Sequence, residues 1–379
     1  MAARGAAQRI EGILSAAVAG GVAPSAVCAV ALHGERLPVV AVGDAVRYAA
    51  AGADPAGDAV LPAAERVPAT PETLYDLASV TKLFTTIAAL ALVDGGTLAL
   101  DEPVGAWLPA YRSGAKASVT LRHLLTHTAG LPAEWDGWRA PLAAGAPVGR
   151  AALVADLLST PLESTPGTRF SYSCTGFNTV MALAEAATPQ PWAARVRARV
   201  LDPLGTGAIT GTPSAQACAA TEDMPGLGRG MVCGVVHDEA AWQLGGVSGN
   251  AGLFASAPAL LDFTEALRTG LDGILSPALA EQMWENQLPR VLGPSWRAGA
   301  PGWHQGLGLR IGQLDWMGKH GGQGRGHGGF TGTSLLVDRA AGSSAVVLAN
   351  RVHPNRGRSD ATALRVQVSE AVRELSRGR

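Results

Sequence analysis

Runs able to form β-strands stand near the two ends of this chain and almost nowhere between them. "SAVCAVALHGERLPVVAVG" gives two β-rich runs joined by a turn around His33-Gly34, and "GLGLRIG", "TGTSLLVD" and "SSAVVLANRV" supply the others near the end. From about residue 100 to residue 250 the text is helical and loop-rich, most clearly in "VTLRHLLTHTAGLP", "GRAALVADLLS" and "FNTVMALAEAA". This distribution predicts one antiparallel sheet assembled from both termini and flanked by helices, an α+β fold of the α/β sandwich kind, with the middle as an all-helical insertion. Residues 1–100 and 255–379 are assigned to the sheet domain and 101–254 to the insertion. Ile10, Ile13, Leu14, Ala17 and Val18 recur at helical spacing at the start, and Ala361, Leu364, Val368, Ala371, Val372 and Leu375 share one face of a last amphipathic helix. Residues 44–70, rich in Ala, Pro, Gly and Asp, read as a loop.

At 379 residues and 47% hydrophobic composition, the chain can bury a large core. Only 16% of residues are charged and the two signs nearly cancel, so no basic surface for nucleic acid is expected. No long uncharged apolar run predicts a membrane span, the nearest being the short "LFTTIAALALV". Arg9 and Glu11 interrupt the opening thirty residues, which lack the pattern of an export signal; a cytoplasmic location is expected. Cys28, Cys174, Cys218 and Cys233 have no CxxC or Cys/His ligand spacing, and His320 and His327 stand seven apart without a third ligand. No metal and no organic cofactor is expected. "GGQGRGHGG" lacks the GK[ST] ending of a phosphate cradle.

The stretch "DLASVTKLFTTIAALAL" carries a serine and, three residues on, a lysine. Positions i and i+3 of a helix share a face, so the Ser79 hydroxyl and the Lys82 amine come within hydrogen-bond reach. A serine is a poor nucleophile until a base takes its proton, and the apolar flank of Leu83, Phe84, Ile87 and Leu90 is expected to keep Lys82 neutral enough to be that base. A capping serine and a solvated lysine would look the same over four residues. Lysine, however, occurs only at 82, 116 and 319 in a chain whose other basic residues are all arginine, and arginine cannot deprotonate.

"TLYDLASVTKLF" resembles the serine β-lactamase and penicillin-binding protein superfamily, in particular its class C-like branch of esterases, D-amino-acid peptidases and acyltransferases. The resemblance continues in order through "GGTLALDEPVGAWLP", "VTLRHLLTHTAGLP", "PGTRFSYSCTGFN", "GVVHDEAAWQLGGVSGNAGLFAS" and "GHGGFTGTSLLVD". It implies an active site in the cleft between the sheet domain and the helical insertion. It also implies Ser79 as the acylated nucleophile, Lys82 as its proton acceptor and Tyr172 as the tyrosine of a Tyr-x-Asn element that shuttles a proton across the cleft. His327, with Gly328 and Gly329, matches the Lys-Thr-Gly strand, and the Phe330 N–H is expected to join that of Ser79 in holding the oxyanion.

One departure bears on substrate: Tyr-x-Asn reads Tyr172-Ser173-Cys174. A thiol replaces an amide that would bond a substrate amide, which points away from β-lactams and peptides and toward esters or thioesters. Trp135 and Trp303, in segments read as loops, and Asn250 in "GVSGNAGLF" are candidate pocket residues; His127 is read as structural. The expected function is a serine hydrolase forming an acyl-Ser79 intermediate on a small-molecule acyl donor, an ester, thioester or amide. An acyltransferase serving a second small molecule, an amine or alcohol, is the alternative, and a non-catalytic ligand-binding relative is the third reading.

Overall fold

Every residue of Ser25–Leu32 and of Ser343–Ala349 is buried. Strands covered on both faces must sit in the middle of a layered structure, and the computed structural model places them there side by side. It describes residues 2–146, 148–206, 208–294, 296 and 303–378. The main sheet has nine strands: β1 (Ser25–Leu32), β2 (Glu35–Arg36), β3 (Val40–Val46), β4 (Val67–Pro68), β5 (His304–Gln305), β6 (Arg310–Ile311), β7 (Arg325–Gly328), β8 (Ser334–Asp338) and β9 (Ser343–Ala349). The order is β5-β6-β7-β8-β9-β1-β3-β4, with β2 paired to β1. All pairings are antiparallel, and β9 joins the two ends of the chain by setting Ala26 opposite Ala349 and Leu32 opposite Ser343.

The two faces of β1 belong to different cores, because successive side chains of a strand point to opposite sides. Ala26, Cys28, Val30 and Leu32 meet the terminal helices α1 (Ala2–Ala19) and α5 (Thr362–Arg377) through Ile10, Leu14, Leu364, Val368 and Val372. Val27, Ala29 and Ala31 face the larger core, which contains α2 (Thr81–Asp94), α3 (Cys174–Ala187) and α4 (Ala257–Thr269). Phe84 of α2 stacks on Phe263 of α4 with centroids 4.0 Å apart. The fold is therefore the antiparallel sheet with flanking helices that the run pattern predicts.

Two readings are corrected. Residues 44–70 contain short strands, Tyr48–Ala50 paired with Ala59–Val60, and β4 paired with β3. The stretch 100–250, read as nearly strand-free, contributes Ile209–Thr210 to a ribbon with Phe254–Ala255 and Tyr75–Asp76. Pairs of two or three residues are held by backbone hydrogen bonds and are too short to show a period of two, so no sequence pattern announces them.

The end of β9 leads to His353, whose ring is buried between segments far apart in the chain. Its Nε2 accepts from the Arg47 and Tyr48 N–H groups at 3.0 and 3.1 Å, and its Nδ1 faces the Thr221 carbonyl at 3.1 Å. This set fits only a neutral imidazole, and burial lowers its pKa to about 4. The unfolded chain takes up this proton near pH 6.5 and the folded one does not. The contribution is therefore fully present above pH 6.5 and lost as pH falls toward 4, a loss of about 3 kcal/mol. Thermal unfolding followed from pH 7 to 4 should show a steeper fall for the native protein than for His353→Asn; parallel curves would refute this.

Candidate active site

The residues ahead of α2 make a tight turn rather than the first turn of an α-helix: Ala78–Val80 is 3₁₀ and α2 begins at Thr81. Ala78 has φ of 44°, a left-handed conformation that residues with a Cβ rarely adopt. Asp76 fixes it, its Oδ1 accepting from the Ala78 N–H at 2.7 Å and its Oδ2 from the His237 N–H at 2.6 Å. Ser79 is thereby held at the cleft wall, and Lys82, fully buried one turn on, donates to its Oγ at 2.9 Å.

Two other acceptors surround the Lys82 Nζ: Cys174 Sγ and the Asn250 carbonyl oxygen, both at 3.3 Å. Three acceptors match the three donors of an ammonium. Burial is the largest single influence and acts to lower the pKa of this amine, but Cys174, Tyr172 and Glu134 together act upward and hold it above the ordinary lysine range. The apolar flank thus acts in the expected direction, toward a neutral amine, and the polar neighbours act against it. Burial pushes the Cys174 thiol up to about 12.

Tyr172 and Cys174 are placed by the segment "LLTHTAGLP" and the residue after it. Ser173 caps α3 by accepting from the Gly176 N–H at 2.9 Å, donates its own hydroxyl to the Pro132 carbonyl at 2.6 Å, and gives its N–H to His127 Nδ1 at 3.0 Å. The His127 ring packs 4.5 Å from the Tyr172 ring. Lys82 Nζ stands 5.0 Å from the Tyr172 ring centroid, and the Arg310 guanidinium 4.5 Å from it. Among the described residues the Tyr172 hydroxyl has no partner within hydrogen-bond distance. His127 and His327 are both held well below the usual histidine range, by burial first and then by Lys82 and Arg310.

Strand β7 brings His327, Gly328, Gly329 and Phe330 against the nucleophile turn. Thr331 Oγ1 donates to the Asp76 carbonyl at 2.7 Å and Thr333 Oγ1 to the Leu77 carbonyl at 3.0 Å. A Cβ on Gly329 would lie 2.2 Å from Thr333 Oγ1 and 2.5 Å from the Leu77 oxygen, so only glycine permits this approach. His327 is buried with Nδ1 turned to the Gly328 carbonyl at 2.8 Å. The Phe330 carbonyl accepts from Arg351 Nε at 2.7 Å, and its ring lies exposed at the mouth of the cleft.

The cleft has a volume of 640 Å³ and opens onto Ser79, Tyr172, Cys174, Gly328, Gly329 and Phe330. Of the candidate pocket residues, Trp135 lines it together with Trp138 and Trp316, while Trp303 is half-buried and outside the lining. Asn250 lies behind the cleft, where its side chain accepts from Ser248 Oγ and donates to Asp238 Oδ2 while its carbonyl meets Lys82. Among the described residues no group of His, Cys, Asp or Glu is arranged to hold a metal ion. Glu134, Asp238 and Arg310 also face the cleft; Asp238 falls inside one of the blocks that carry the resemblance, but nothing in the sequence assigns a role to any of the three.

Against known proteins, a model of the Beta-lactamase family matches residues 11–370. The chain belongs to the Beta-lactamase family. Within it, the chain is 32% identical over 333 residues to Esterase EstB of Burkholderia gladioli, covering 76% of this chain and 79% of EstB. Among solved structures, EstCE1, described as a hydrolase with promiscuous acyltransferase activity, superposes with a TM-score of 0.73 at 23% identity over 98% of this chain and 99% of EstCE1. Unliganded simvastatin synthase LovD from Aspergillus terreus does so with 0.68 at 21% identity over 98% of each chain. The two superpositions show that this Beta-lactamase family member shares their fold. No described helix is long and apolar enough to cross a membrane.

Proposed function

We propose that the protein is a serine hydrolase that acts on a small ester or thioester through an acyl-Ser79 intermediate. The observation that carries this reading is the 2.9 Å contact between a buried Lys82 amine and the Ser79 hydroxyl at the wall of an open cleft. Ser79 Oγ adds to the substrate carbonyl as its proton passes to the Lys82–Tyr172 pair, and the oxyanion is held by the Ser79 and Phe330 N–H groups. The leaving alkoxide or thiolate takes a proton from the same pair as the C–O or C–S bond breaks. Water then adds to the acyl group and the sequence runs in reverse. Attack requires that one member of this pair accept the serine proton.

Family membership and the 32% identity to a protein named an esterase support the hydrolase. A second reading is acyl transfer to a small amine or alcohol in place of water; the shared fold with EstCE1 and LovD favours it. The partners are then a small-molecule acyl donor and an optional small acceptor. We place the work in the cytoplasm, supported by four cysteines none of which is in a disulfide.

Incubation with a fluorophosphonate or a 4-nitrophenyl ester, followed by intact-mass and peptide analysis, should give one adduct on the peptide containing Ser79. An adduct elsewhere, or none, would dismiss the acyl-enzyme. Faster acyl-enzyme decay when amines or alcohols are added would favour transfer; unchanged decay favours hydrolysis.

A further inference from the structure

The carbonyl of Gly329 and the N–H of Phe330 belong to one peptide group, so whatever bonds that carbonyl also acts on an oxyanion donor. Its nearest partner is a cation. Arg365 Nη2 donates to the Gly329 carbonyl at 2.6 Å and to the Thr333 carbonyl at 3.0 Å, while the Gly332 N–H reaches the same Gly329 oxygen at 3.2 Å. Arg365 Nη1 lies 3.4 Å from the place that a Cβ on Gly328 would take. The guanidinium is thus packed against the two glycines that precede Phe330. Arg351 bonds the next carbonyl along, that of Phe330, whose peptide partner is the Thr331 N–H and not an oxyanion donor. The other oxyanion peptide, Ala78–Ser79, has its carbonyl on the Thr81 N–H, a neutral donor.

The surroundings of Arg365 oppose its charge. Among the described residues it forms no ion pair, and its Nε is buried without a hydrogen-bond partner. It stands in the first turn of α5, at the positive end of the helix dipole. Burial, and after it Arg351, pulls its pKa down. A side chain needed only to tie two carbonyls together could be neutral. A positive charge bonded to a peptide oxygen draws electron density out of the amide, and the N–H at its other end becomes a stronger donor. A carboxylate beside the guanidinium would cancel that effect.

We propose that Arg365 is a positioning residue for the reaction: it sets the Gly329–Phe330 peptide against the nucleophile turn and polarises it, so that the Phe330 N–H holds the oxyanion more tightly than it holds the substrate carbonyl. The inference rests on the acyl-enzyme reading and on the Phe330 N–H as an oxyanion donor. Acylation and deacylation both pass through an oxyanion, so the effect falls on kcat whichever step is slower.

Arg365→Ala should lower kcat for a 4-nitrophenyl ester by about 10- to 100-fold with KM nearly unchanged, less than the 10²–10³-fold that follows loss of a whole oxyanion donor. In that variant the carbonyl band of the acyl-enzyme should move to higher infrared frequency. Guanidinium chloride, added below denaturing concentration, should restore part of the rate. Urea, which offers planar N–H donors without the charge, should not. Arg365→Lys should stay well ahead of Arg365→Gln, and this pair carries the test if thermal unfolding shows that the alanine variant does not fold. Equal rescue by urea, or equal rates in the lysine and glutamine variants, would reduce Arg365 to a tie between two carbonyls and overturn the proposal. A raised KM with native kcat would overturn it too, by making Arg365 a substrate-binding residue. If the native protein forms no acyl adduct, the acyl-enzyme reading itself fails; a native adduct with unaltered rates in the variants removes the role of Arg365 alone.

Discussion

Ser79→Ala should leave no acyl adduct and no ester turnover above background, and Lys82→Met should slow acylation by about 10²–10⁴-fold, measured as the rate of 4-nitrophenol release. The informative companion is Lys82→Arg. It keeps a positive charge near Ser79, Cys174 and the Asn250 carbonyl, the three acceptors that Lys82 Nζ now contacts. A guanidinium does not release its proton, so if Lys82 moves a proton this variant should be as slow as the methionine one. Near-native acylation by Lys82→Arg would mean that the charge alone matters and that Tyr172 takes the serine proton unaided. Because the native amine is held in its ammonium form by its surroundings, acylation should quicken as pH rises toward the alkaline range.

Gly329→Ala should lower kcat/KM by about 10²–10³-fold, the loss associated with one misplaced oxyanion donor. The added methyl would sit 2.5 Å from the Leu77 carbonyl, two residues before the nucleophile, and 2.2 Å from Thr333 Oγ1. Neither can yield cheaply, since Thr333 Oγ1 is bonded to that same carbonyl and Gly329 N–H to the Thr333 carbonyl at 2.7 Å. The strand must retreat from the turn, and the Phe330 N–H retreats with it. Gly322→Ala is the control, because a Cβ there meets nothing within 4 Å and its φ is ordinary. Equal loss in both variants, or no loss in Gly329→Ala, would remove the glycine strand from the site. Thermal unfolding of both variants separates a local shift from a failure to fold.

The residues that the motifs carry were legible because each demands a side-chain type at a fixed spacing. Ser79 and Lys82 are one helical turn apart, and a paired serine and lysine there need no tertiary information to be suspected. The sheet was legible for a similar reason: the runs in β1, β8 and β9 are long enough to show themselves and too apolar to lie anywhere but inside. The two-residue strands at 75, 209 and 254 were not, since backbone pairing leaves no mark on side-chain pattern.

What the sequence by itself determined, then, is which residues hold reactive groups and that strands from the two ends must share a sheet, because local spacing and apolar runs are properties of the chain alone. Only the tertiary structure decided the charge state around those groups. Lys82 lies in an apolar helix and yet meets three acceptors, supplied by residues 79, 174 and 250. Arg310 sits in a run legible only as a strand and yet stacks on Tyr172. Electrostatics depends on distance in space and on burial, and neither can be read from positions along a chain.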